Sequence, residues 1–145
     1  MGLFSKKPKG PRVTGDGYWM SPDAEPAFNE GPGTYRYNVV GESNYNANLR
    51  AVLAEEGYDV NEGGECYLKA MLLCEPQNKY DPNAVAVVIS SRRVGYIPKV
   101  DAQALAPKLM QVAADNKVLF VDAVIGWGDP DVIGVRLDME YGSDN

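Results

Sequence analysis

The sequence predicts a mainly β fold with two helices, an α+β domain whose antiparallel sheet curls into a small barrel. Three observations predict it. Short apolar runs with strand character recur between turn signals, two stretches carry apolar residues at helical spacing, and most neighbouring strands are joined by short turns, which favour antiparallel neighbours. The predicted order is β-α-β-β-β-α-β-β.

The first strand is Tyr35-Arg36-Tyr37-Asn38-Val39-Val40, which alternates until Gly41 ends it. A helix opens near Asn46, with Leu49, Val52 and Leu53 on one face and Gly57 as its stop. Residues 58–64 form a polar loop. Glu65 to Cys74 is a long strand in which Cys66, Leu68, Ala70, Leu72 and Cys74 face one way. A hairpin follows: Val85-Ala86-Val87-Val88-Ile89, the turn Ser90-Ser91-Arg92-Arg93, then Val94-Gly95-Tyr96-Ile97 ending in Pro98-Lys99. Ala102, Leu105, Ala106, Leu109, Met110 and Ala113 trace a helix face. Pro107 within it predicts a kink or a split, because proline lacks the amide hydrogen and crowds the preceding turn. Leu119–Gly126 and Ile133–Leu137 form the last strand pair. The turn Gly126-Trp127-Gly128-Asp129-Pro130-Asp131 joins them and presents Trp127 to solvent. No internal repeat stands out.

Residues 1–33 differ in composition. They hold Pro8, Pro11, Pro22, Pro26 and Pro32, six of the 15 glycines and the basic residues Lys6, Lys7, Lys9 and Arg12. This reads as a flexible arm, with Tyr18-Trp19-Met20 and Phe28 as candidate pins to a domain over 34–140 and a short tail at 141–145.

The net charge of −6 argues against coating a duplex, since phosphate neutralisation dominates such binding. The distribution is uneven. Residues 76–108 carry Lys79, Arg92, Arg93, Lys99 and Lys108 against Asp81 and Asp101; residues 42–65 carry six carboxylates against Arg50. A basic face on an acidic molecule can hold a few phosphates. No apolar run approaches the ~20 residues that span a bilayer. The N-terminus lacks a signal-peptide core, and Lys6 stands where a myristoylation motif wants Ser or Thr. A soluble, cytoplasmic protein without membrane partners is expected.

With no histidine and only Cys66 and Cys74, a zinc site and histidine-based nucleophilic catalysis are not expected. The two cysteines lie eight apart on one predicted strand, too far for a disulfide, and read as buried free thiols. Asp129 and Asp131 in one turn read as solvated loop charge. With no nucleophile–base pair, Walker loop or metal cluster, neither an enzyme nor a cofactor is expected.

The polar loop Asn78-Lys79-Tyr80-Asp81-Pro82-Asn83-Ala84 feeds the buried hairpin, and Lys99 closes it. Tyr80, Asp81, Asn83 and Lys99 thus stand at the hairpin's edges, where a ligand or nucleic-acid end would fit. Asp81 can accept from a terminal hydroxyl and repels an internal phosphate; it can equally cap its own loop at the Asn83 amide. Asn83 orders the loop. Arg92 and Arg93 are phosphate contacts or a solvated turn tip. Lys99 pairs with a phosphate or with Asp81.

Val39-Val40-Gly41-Glu42-Ser43, the Glu75-Pro76-Gln77-Asn78-Lys79-Tyr80-Asp81-Pro82-Asn83-Ala84-Val85-Ala86-Val87 stretch, Val94-Gly95-Tyr96-Ile97-Pro98 and Leu105-Ala106-Pro107 occur in that order and closely resemble the HIRAN domain over roughly residues 35–138. The resemblance implies a modified OB-like β-barrel. It also implies a non-catalytic module that binds single-stranded DNA and captures its 3′-hydroxyl end, in DNA repair or processing and beside a DNA-processing protein. Any hydrolase activity would then belong to partner ATPases. By that resemblance Tyr80 and Asp81 match the pocket's tyrosine and aspartate, and Lys99 its lysine. Ser43 and Asn44 stand where the DNA-end binder has an arginine and a tyrosine, with Tyr45 next, and Trp127 supplies a late aromatic. Tyr80, Tyr45 and Trp127 would stack on bases, and Arg92 or Arg93 would join Lys99 at the phosphate. The departure at Ser43-Asn44, with the acidic total, leaves a second expectation: an adaptor whose barrel face binds a protein without DNA.

Overall fold

The computed structural model describes residues 10–140, so Lys6, Lys7 and Lys9 of the basic arm and the tail 141–145 lie outside the described residues. The elements run β1 (Arg12–Val13), β2 (Trp19–Met20), β3 (Glu25–Asn29), β4 (Tyr37–Asn38), α1 (Asn46–Glu55), β5 (Gly64–Cys74), β6 (Val85–Ile89), β7 (Arg92–Tyr96), α2 (Lys99–Ala114), β8 (Lys117–Asp129) and β9 (Val132–Leu137). From β4 onward this is the expected order β-α-β-β-β-α-β-β.

One sheet runs β4-β9-β8-β5-β6-β7, antiparallel throughout, and β3 joins it parallel to β8. The sheet curls so that its two ends approach. The chain just after β4 reaches β7, where Val40 and Tyr96 exchange backbone hydrogen bonds of 2.9 and 2.8 Å. The result is a mostly β, OB-like half-barrel with two helices.

Patterning explains the two faces. Cys66, Ala70, Leu72 and Cys74 of β5 point to the main core, where they meet Val85, Val87, Ile89, Val121 and Ile125 beneath Leu49, Val52 and Leu53 of α1 and Leu105 and Leu109 of α2. Leu73 and Val88 point the other way, into a second cluster with Ala86 and Val118, which Tyr18 and Met20 cover. All five residues of β6 are buried because both its faces are covered, which is why Val-Ala-Val-Val-Ile is continuously apolar rather than alternating. Residues 12–29, part of the segment read from composition as a flexible arm, carry three strands here. Tyr18 sits in the second cluster, Phe28 lies 5.5 Å from the Phe120 ring, and β3 takes the free edge of β8.

Three local expectations are corrected. The hairpin turn is Ser90-Ser91 alone, both left-handed at φ 51° and 65°, so Arg92 and Arg93 belong to β7 and not to the turn. Pro107 does not split α2, which is one helix from Lys99 to Ala114. Its ring lies on the solvent side, where the orphaned Gln103 carbonyl can be hydrated. Trp127 is not in a turn: β8 continues past it to Asp129, with a register shift between the two, and the tip is Pro130-Asp131. Cys66 and Cys74 are buried free thiols, as read.

Candidate nucleic-acid interface

The closing point of the barrel is also the floor of a cleft. Val40 and Tyr96 line it with Ala84 and Ile97, and its volume is about 480 Å³. Its walls are Asn44 and Tyr45 from the turn Glu42–Tyr45, Asn78, Tyr80 and Asp81 from the loop after β5, and Lys99 from the start of α2. Segments distant in sequence therefore meet here because the sheet curls.

Each wall has a local cause. Gly41 adopts φ 76°, a left-handed conformation that turns the chain just after the Val40 bridge, and the Asn44 amide bonds the Gly41 carbonyl at 3.0 Å to start the turn. The loop after β5 is held by Asn78, whose Oδ1 accepts from the amides of Tyr80 at 2.9 Å and Asp81 at 3.0 Å. Asp81 Oδ1 accepts from the Asn83 amide at 2.9 Å, so its loop-capping role is real. Its second oxygen makes no hydrogen bond, and no cation pairs with it, among the described residues. Tyr80 projects almost wholly into solvent, 82% exposed, with Lys79 Nζ 5.1 Å from its ring centre. Lys99 is the exposed first residue of α2, at the end where the helix dipole is positive.

The buried side of the cleft is organised by Glu75, which sequence reasoning missed. It is 5% exposed and its carboxylate accepts three hydrogen bonds, from Tyr96 Oη and Asn78 Nδ2 at 2.9 Å each and from Arg93 Nε at 2.8 Å, with Arg93 Nη2 completing the ion pair at 2.7 Å. Burial pushes the Tyr96 phenol far up, and hydrogen bonds with Tyr45 and Glu75 add to the shift, so Tyr96 stays a neutral donor. A carboxylate directly after an apolar strand and before a proline was the available signal. Asn78 and Tyr96 were missed too, although both lie inside the motifs that were read.

The cleft thus gathers Asn44, Tyr45, Tyr80, Asp81 and Lys99. Ser43 is exposed on the same turn, beside the lining. Arg92 and Arg93 lie outside it: Arg92 pairs with Glu55 at 2.8 Å, and Arg93 is held by Glu75 and stacks over Tyr18 at 4.8 Å. Trp127, expected at the surface, is 6% exposed. It packs edge-on to Tyr58 at 5.4 Å and lies over Gly64, because the strand carries it into the core.

A small OB-like barrel with an open, polar and aromatic cleft at its closing edge defines a binding domain. The family model of the HIRAN domain matches residues 32–131, and the chain belongs to the HIRAN domain family. Comparison with curated proteins and with solved structures finds no match. The HIRAN domain is generally a nucleic-acid-binding module and is not itself catalytic. Among the described residues no helix is long and apolar enough to cross a membrane.

Proposed function

We propose that this protein binds single-stranded DNA at a 3′-hydroxyl end, in DNA repair or processing. The observation that carries this reading is the convergence of Tyr80, Asp81, Tyr45 and Lys99 on one cleft. The unbonded oxygen of Asp81 accepts the terminal hydroxyl, and its charge disfavours a phosphate in the same place. Lys99 and the positive end of α2 take the adjoining phosphate. Tyr80, exposed and unencumbered on one face, stacks on a base, an interaction of ~1–3 kcal/mol. Asn44 takes the polar contact left by the departure from the DNA-end binder's pattern.

Fluorescence anisotropy with short oligonucleotides ending in 3′-hydroxyl, 3′-phosphate or a blocked 3′ end tests it. Tighter binding of the hydroxyl end, with the preference lost in Asp81→Ala, is the expected result. Equal binding of all ends sinks the end-recognition mechanism. One observation favours an alternative adaptor role: Arg92 and Arg93 are both engaged by carboxylates, so fewer cations stand ready for phosphate. Absence of any oligonucleotide binding at low salt selects that reading.

A further inference from the structure

Residues 12–20 lie outside the span matched by the family, yet they touch the cleft's support. β1 and β2 form a two-stranded hairpin whose turn includes Asp16, Gly17 and Tyr18. Arg93 Nη2 donates to the Asp16 carbonyl at 2.9 Å, and its guanidinium stacks on the Tyr18 ring. The same Arg93 binds Glu75 Oε2. The other oxygen of Glu75 receives Tyr96 and Asn78, and Asn78 holds the amides of Tyr80 and Asp81. An uninterrupted chain of short contacts therefore runs from the N-terminal hairpin to the loop that presents Tyr80 and Asp81.

We propose that Glu75 is a positioning residue of the cleft and that the hairpin of residues 12–20, acting through Arg93, is a strut that sets the geometry of the ligand loop. Its ligand-binding consequence rests on the DNA-end reading above; its structural half does not. The carboxylate is required because it alone can accept from all its partners. A glutamine at 75 would set an amide donor against either Arg93 or the Asn78 side-chain NH2. Arg93, half-buried and without its carboxylate partner, would then shift, and Asn78 would no longer be fixed. The hairpin contributes by restraining Arg93 from the other side, through a ring face and a carbonyl.

Glu75→Gln, Tyr18→Leu and Phe28→Ala form the test, with folding checked by thermal melts. Phe28 packs on Phe120, which borders the cluster that Tyr18 enters, and has no contact with Glu75 or Arg93 among the described residues, so it serves as the control. Amide hydrogen exchange at Tyr80 and Asp81 is expected to speed up about tenfold or more in Glu75→Gln and several-fold in Tyr18→Leu, and to stay unchanged in Phe28→Ala. The dissociation constant for a 3′-hydroxyl oligonucleotide is expected to rise in the same order. Unchanged exchange at both amides in Glu75→Gln, or equal change in Tyr18→Leu and Phe28→Ala, overturns the strut. Should the unmutated protein bind no oligonucleotide, the DNA reading fails while the exchange measurement still decides this one.

Discussion

Gly95 lies so close to Val39 that a Cβ at position 95 would fall 2.4 Å from Val39 Cγ1 and 2.9 Å from the Val40 carbonyl oxygen. The glycine of Val94-Gly95-Tyr96 therefore lets the chain after β4 reach β7 at the floor of the cleft. Gly95→Ala is expected to destabilise the protein by ~1–3 kcal/mol, the range for overpacking, because backbone is among what must move. Urea denaturation measures it, and binding should weaken further than the loss of folded protein explains.

Lys99 is exposed at the start of α2 and forms no ion pair among the described residues. Lys99→Ala is expected to weaken oligonucleotide binding for all sequences alike and to lower the slope of log K against log salt by about one phosphate contact. A salt series of anisotropy titrations checks this. An unchanged slope would remove Lys99 from the phosphate.

Trp127 fills the core beside Tyr58 and Gly64, and its indole Nε1 has no hydrogen-bond partner among the described residues. Trp127→Ala is expected to cost ~3–5 kcal/mol of stability, as large-to-small core changes do. The affinity of the remaining folded fraction for DNA should be unaltered. A loss of affinity without a loss of stability would instead restore Trp127 as a contact.

Burial raises the Cys74 thiol from 9.0 to about 11. Native protein at pH 8 should resist a thiol reagent at this site and react once denatured. Unfolding gives back a more acidic thiol, so this stabilisation is complete below pH 9 and fades as pH rises toward 11. Denaturation midpoints across that window, compared with Cys74→Ala, measure the difference in pH dependence.

Much of the fold was legible because local patterns and packing agree. The period-2 face of Cys66, Ala70, Leu72 and Cys74, the helical face of Leu49, Val52 and Leu53, and the stops at Gly41 and Gly57 all act within a few residues. Trp127 was misjudged because Gly126 and Gly128 on either side, with Pro130 beyond, imitate a turn, whereas strand pairing with Gly64 and Ile133 overrides them. The ion pairs of Arg92 and Arg93 were illegible, since Glu55 and Glu75 reach them only through the packing of α1 and β5 near β7.

The family, the order of the elements and the loop that carries Tyr80 and Asp81 depend on residue spacing along the chain and were readable from it. Which residues share the cleft depends on how the sheet folds back on itself. Asn44 and Tyr45 meet Tyr80, Asp81 and Lys99 because the sheet curls until Val40 touches Tyr96. The same curl turns Glu75 inward, where a carboxylate away from water must find donors, and the donors it finds hold the ligand loop in place.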